Sequence, residues 1–131
     1  MISMNNVCFS YRQKRRNRDI LVDLSMQFTP GKVYAIYGPS GVGKTTCLSV
    51  LGGLDTPTKG SIEIDGTDIK TIGYSQLRKQ FVSFVFQDYH LFPYMTAIEN
   101  VVVAASIANK SKGHEAKEQA TTLLSSLGLD R

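Results

Sequence analysis

The sequence predicts an α/β fold, on three observations. A glycine-rich run from Gly38 to Thr45 joins a β-branched and aromatic segment to an apolar segment of helix length. Segments 2–11, 20–28 and 61–69 carry strand residues separated by turn signals, and segments 98–105 and 116–127 repeat apolar residues at helical spacing.

The first two strands are residues 2–11 and 20–28, the second with partial alternation, joined by a basic loop. Thr29-Pro30-Gly31 turns the chain into the strand Lys32 to Tyr37, after which the glycine run opens onto a helix carrying Thr45, Thr46, Cys47, Leu48, Val50 and Leu51. Ser61 to Ile64 alternates and ends in the hairpin signal Asp65-Gly66, with Thr67-Asp68-Ile69 as the returning strand. A short helix from Tyr74 to Gln80 precedes the dense run Phe81 to Phe86, read as a core strand closing on Gln87. Thr96 and Glu99 have capping-box spacing ahead of a helix with Ile98, Val101, Val102 and Ala105 on one face. A last helix, starting between Lys112 and His114, carries Ala116, Ala120, Leu123, Leu124 and Leu127.

The run Gly38-Pro39-Ser40-Gly41-Val42-Gly43-Lys44-Thr45 matches the phosphate-binding pattern G-x-x-x-x-G-K-[ST] at every fixed position. Its glycines allow successive N–H groups to turn inward on phosphate oxygens, and the helix presents its positive end to the same anion. With glycine at about 7% of residues, a chance match arises in only a few chains of this length per thousand. The expectation is a P-loop NTPase core that binds ATP. Lys44 would reach the β- and γ-phosphates as a catalytic group, the Thr45 hydroxyl would ligate Mg²⁺, and Thr46 would add its backbone N–H.

Bulk properties set the frame: 131 residues suffice for one domain with a core, and 42% hydrophobic with 20% charged residues is ordinary for a soluble protein. No apolar stretch approaches the ~18 residues that span a bilayer, and the first residues carry no secretory pattern, so a cytoplasmic location is expected. Cys8 and Cys47 give neither a disulfide framework nor a metal spacing and read as core residues. Cys47, in the first turn of the helix, has the alternative of a dipole-lowered pKa. Arg12, Lys14, Arg15, Arg16 and Arg18 concentrate the net charge of +4. They read as a solvated loop, because no aromatic side chains interleave them as nucleic-acid stacking requires. His90 and His114 have no metal spacing and no assigned role.

Taken together, the phosphate loop, the tyrosine one strand pair upstream and the strand closing on glutamine resemble the ATPase domain of ABC transporters, over essentially the whole chain. Gly53 to Gly60, Phe84-Val85-Phe86-Gln87 and Leu91 to Val101 resemble most closely the bacterial lipoprotein-release and macrolide-export subgroup. The resemblance implies that Tyr11 stacks on adenine, with Phe9 as the competing aromatic, and that Gln87 is a Mg²⁺ or water ligand with a catalytic role. It implies a groove for a transmembrane permease subunit at residues 88–96, whose Tyr89, Phe92 and Tyr94 could equally fill a core. It also implies a dimer of ATPase domains in the complete protein, a peripheral position on the inner face of the cell membrane, and no specific nucleic-acid partner.

Residues 1–30 and 60–70 would then form an antiparallel β layer, residues 31–58 and 81–88 the P-loop core, and residues 89–131 the start of a helical subdomain. The family's signature loop, acidic strand end, catalytic glutamate and switch histidine follow this point, so the sequence reads as a front part with C-terminal strands missing. Lys44, Thr45 and Gln87 alone cannot align or activate water, so hydrolysis by this polypeptide is expected to be very slow or undetectable. Three other functions use the same loop: a soluble nucleotide or metabolite kinase, an ABC-type ATPase of DNA repair or translation, and a catalytically silent nucleotide-binding remnant.

Overall fold

The computed structural model describes residues 1–12, 17–107 and 113–129, and they form two compact units, Met1–Val82 and Ser83–Arg131. The basic positions Lys14, Arg15 and Arg16, the helix-start position Lys112, and Asp130 and Arg131 lie outside the described residues.

In the first unit, strands β1 (Ile2–Arg12), β2 (Asn17–Phe28), β3 (Lys59–Ile64) and β4 (Thr67–Asp68) make one antiparallel sheet in the order β2-β1-β3-β4. The hairpin β1–β2 runs in register from Ile2 opposite Phe28 to Tyr11 opposite Arg18 and Arg12 opposite Asn17, with irregularities between Met4 and Ser10. The turn between β3 and β4 is the expected Asp-Gly pair, and both residues have positive φ, 48° at Asp65 and 80° at Gly66. Those angles give the tight turn a twist that matches the strands it joins.

Three helices complete this unit: α1 (Lys44–Leu51), α2 (Ile69–Ile72) and α3 (Tyr74–Gln80), the last with the bounds read from sequence. Met4, Val7 and Phe9 of β1, Leu21 of β2 and Ile62 of β3 pack with Cys47 and Val50 of α1, Ile69 of α2 and Leu77 of α3. Each such aliphatic side chain contributes about 2 kcal/mol through removal from water, so the helix that follows the glycine run is fixed to the sheet by its own inward face. Asp68 caps α2 by accepting from the Lys70 N–H at 2.8 Å, and Arg78 of α3 donates to the Gly53 carbonyl beyond the end of α1.

Two expected core strands carry no strand pairing. Lys32–Tyr37 and Phe81–Phe86 have no strand partner among the described residues, and Val33, Tyr37 and Val85 are almost fully exposed. A β-branched run becomes a strand through its ladder, and the antiparallel sheet leaves these two none. The boundary between units falls at Val82 and Ser83, so it divides the 81–88 segment.

The second unit contains α4 (Ala97–Ile107) and α5 (His114–Ser126), which pack on each other. The capping box ahead of α4 is complete: the Thr96 N–H donates to Glu99 Oε2 at 2.7 Å and the Glu99 N–H to Thr96 Oγ1 at 3.3 Å. Asn100 adds a clamp, accepting from the Phe92 N–H at 2.8 Å and donating to the carbonyls of Phe92, Met95 and Thr96. On α5 the buried residues are Ala116, Ala120 and Leu124, while Leu123 and Leu127 are exposed. The apolar face is therefore a narrow i, i+4 stripe, and the wider face read from sequence is corrected at those two leucines.

Hydrogen bonds from the Thr96 backbone and hydroxyl hold the Glu99 carboxyl below its ordinary pKa of 4.5. A depressed carboxylate stabilises the folded form above its unfolded pKa, and that contribution is lost as pH falls through the lowered value. Protection of the Thr96 amide against hydrogen exchange is therefore expected to be constant at neutral pH and to weaken below about pH 4.5. Glu99→Gln should abolish this pH dependence; a parent profile flat to lower pH would contradict the assignment.

Candidate functional site

Helix α1 begins at Lys44 without a side-chain cap and without an acidic residue in its first turn, and Gly43 holds the N-cap position at φ 100°. The first intrahelical bond runs from the Cys47 N–H to the Gly43 carbonyl at 2.8 Å. The amides of Lys44, Thr45 and Thr46 are thus left for an external acceptor, at the positive end of the helix dipole. Only glycine suits position 43. A Cβ there would lie 2.8 Å from Ile20 Cγ2 on β2, in a backbone region that L side chains rarely adopt.

A recess of about 330 Å³ opens in front of this helix end, lined by Tyr11, Arg18, Ile20, Ser40, Gly41, Gly43, Lys44, Thr45 and Thr46. The Lys44 ammonium donates to the carbonyls of Gly38 and Pro39, each at 2.8 Å. An ammonium has three donors, so two organise the loop and one remains for a ligand. Among the described residues the lining of the recess holds the cationic side chains of Arg18 and Lys44 and no carboxylate. It is built for an anion, whereas a bare cation would find only neutral oxygens and positive charge.

The predicted site residues are distributed as follows. Tyr11, Ser40, Gly41, Gly43, Lys44, Thr45 and Thr46 meet at this one recess. Gly38 and Pro39 reach it through the carbonyls that hold Lys44, and Val42 is exposed beside a second hollow against β2. Tyr11 and Phe9 separate clearly: Phe9 is 7% exposed in the core and packs edge-on against Tyr11 at 5.0 Å, while Tyr11 is 45% exposed on the recess. Gln87 lies in the second unit, on an exposed turn after Phe86.

Two further residues line the recess: Arg18, which in sequence belongs to the basic run, and Ile20, the first residue of the predicted second strand. The signal for Arg18 is hairpin register, which sets it directly across from Tyr11. Cys47 is a core residue, and burial pushes its thiol above the ordinary value, which removes the dipole-activated alternative. In the second unit Tyr89 and Tyr94 are 78% and 77% exposed, so within that unit the aromatic cluster is a surface rather than core filling.

Tyr11, Ser40, Thr45 and Thr46 bring hydroxyl groups to the lining of the recess. Magnesium keeps several waters and takes phosphate oxygens with few protein ligands, so hydroxyls of this kind suit an ion delivered together with a nucleotide. Among the described residues no cluster of three or more His, Cys, Asp or Glu side chains offers a separate metal site.

Comparison with known proteins gives a consistent picture. A family model described as ABC transporter matches residues 21–131. An uncharacterized ABC transporter ATP-binding protein, YclH of Bacillus subtilis, is 42% identical over 120 residues, covering 92% of this chain and 53% of its own length. The lipoprotein-releasing system ATP-binding protein LolD of Syntrophotalea carbinolica is 40% identical, covering 99% of this chain and 58% of LolD. The macrolide export ATP-binding/permease protein MacB of Sodalis glossinidius is 37% identical over 98% of this chain and 20% of MacB. The chain thus spans just over half the length of YclH and LolD. Among solved structures, the dimeric post-hydrolysis state of the ATP-binding cassette MJ0796 with ADP and Pi superposes with a TM-score of 0.82 at 31% identity, over 95% of this chain and 56% of that one.

Proposed function

This chain belongs to the ABC transporter family, and on that premise we propose that it is the ATP-binding portion of a transporter subunit that holds Mg-ATP and energises a membrane partner. One observation carries the reading: the uncapped start of α1, the Lys44 ammonium and the Tyr11 ring face a single recess with no carboxylate among the described residues. The amides of the loop and the first turn receive the triphosphate, and the remaining Lys44 donor neutralises its β- and γ-oxygens. The flat face of Tyr11, braced edge-on by Phe9, receives the adenine. Bound with the nucleotide, Mg²⁺ would offset phosphate charge, with Thr45 Oγ1 as a protein ligand.

The partners follow from the same reading. A transmembrane permease subunit docks on the exposed aromatic surface around Tyr89, Phe92 and Tyr94, and a second ATPase domain completes the nucleotide site in the full assembly. Among the described residues no helix is long and apolar enough to cross a membrane; a position on the inner face of the cell membrane rests on the proposed permease partner. Copurification from membranes tests the partner: a polytopic subunit supports the transporter reading, while nucleic acid or ribosomes would replace it with a repair or translation ATPase.

Tyr11→Ala is expected to weaken Mg-ATP binding about tenfold, since stacking of a base on an aromatic ring is worth roughly 1–3 kcal/mol. Tyr11→Phe should bind like the parent. Displacement of a fluorescent ATP analogue measures both, and equal affinity of all three proteins would remove Tyr11 from the site.

A further inference from the structure

The base end of the recess has a second side chain besides Tyr11. Arg18 stands directly across the β1–β2 ladder from Tyr11, and directly opposed residues place their side chains on the same face with Cβ atoms about 5 Å apart. Both line the recess that Ser40 to Thr46 close from the other side. Arg18 is exposed, and among the described residues its guanidinium has no hydrogen bond or ion pair. Its neighbour Asp19 is engaged elsewhere, accepting from the Ser10 hydroxyl at 2.7 Å. A guanidinium carries only donors and keeps its charge at any accessible pH, so it seeks an anionic oxygen.

Resting on the nucleotide reading above, we propose that Arg18 is a nucleotide-binding residue whose guanidinium pairs with the phosphate nearest the ribose. The geometry divides the ligand between two groups of residues. The loop and Lys44 hold the far phosphates at the helix end, and Tyr11 holds the base at the hairpin end. The phosphate nearest the ribose lies between base and far phosphates, on the side where the long Arg18 side chain is rooted beside Tyr11. Among the described residues, Arg18 thereby joins Lys44 as a positive charge facing the nucleotide.

The test is calorimetric titration of the parent, Arg18→Ala, Arg18→Gln and Arg18→Lys proteins with Mg-ATP, Mg-ADP and adenosine, with thermal unfolding as the control for folding. Arg18→Ala and Arg18→Gln should lose about tenfold in affinity for ATP and ADP alike, the scale of one charge-assisted hydrogen bond. Adenosine binding should be unchanged, and Arg18→Lys should recover part of the loss. The dependence of ATP affinity on salt should also be shallower in Arg18→Ala. Parent-like ATP affinity in Arg18→Ala overturns the proposal, as does an equal loss for adenosine, which would assign Arg18 to packing against the base. If the parent itself binds no Mg-ATP, the nucleotide reading fails; if the parent binds and Arg18→Ala binds equally well, that reading stands and this one falls.

Discussion

Lys44→Ala is expected to lower affinity for Mg-ATP about a hundredfold while leaving the fold intact. The side chain does two things at once. It donates to the carbonyls of Gly38 and Pro39, each at 2.8 Å, and it presents its third hydrogen to the recess. Removal deletes a charge-assisted hydrogen bond to phosphate, worth about 1.5–3 kcal/mol. It also leaves two carbonyl oxygens near an incoming polyanion with their positive partner gone, so the loss lies at or beyond the upper end of that range. Each 1.4 kcal/mol is tenfold in affinity. Unfolding should change little, because Lys44 contributes nothing to the core formed by β1, β2, β3 and the first three helices. Fluorescent-nucleotide titration beside circular dichroism measures both quantities, and a variant that binds within about twofold of the parent would contradict the role of the ammonium.

Gly43→Ala is the second large effect, and it acts through the backbone. At φ 100° an L residue is strained, by roughly 1–2 kcal/mol where the left-handed region is imposed, and the new methyl would meet Ile20 Cγ2 at 2.8 Å. Relief requires moving the start of α1 away from β2, which is the contact that brings the amides of Lys44, Thr45 and Thr46 to the same recess as Tyr11. A stability loss of about 2–3 kcal/mol together with at least tenfold weaker Mg-ATP binding is expected. The double variant Ile20→Ala, Gly43→Ala separates the two causes, because it removes the collision and keeps the strained φ. It should recover part of the stability. Unchanged thermal unfolding in the single variant would show that the loop accepts a side chain at this position.

The recess was legible in the sequence wherever the signal is local. The glycines, Lys44 and Thr45 are fixed by close spacing, the turn by the Asp65-Gly66 pair, whose φ angles are both positive, and the start of α4 by the Thr96 and Glu99 capping box. Tyr11 was assigned by resemblance, and hairpin register then sets it at the recess. Features that depend on distant partners were read less well. Lys32–Tyr37 and Phe81–Phe86 have strand composition, yet composition does not say which chain segment supplies the ladder, and the described residues supply none. Leu123 and Leu127 match the helical period, but the burial of α5 is decided by its packing on α4, which reaches Ala116, Ala120 and Leu124. Arg18 looked like one more charge in a basic run. Its role depends on the register of the hairpin, in which a shift of one residue would turn it to the other face.

The central claim is that the turn before Lys44 and the first amides of α1 hold the phosphate tail of a nucleotide. Calorimetric titration of the folded chain with Mg-ATP, beside adenosine and inorganic triphosphate, tests it most directly. The account predicts saturable binding of Mg-ATP at a single site, competition by inorganic triphosphate, and at least a hundredfold weaker binding of adenosine. Absence of heat at millimolar Mg-ATP, or adenosine binding as tightly as ATP, would contradict it.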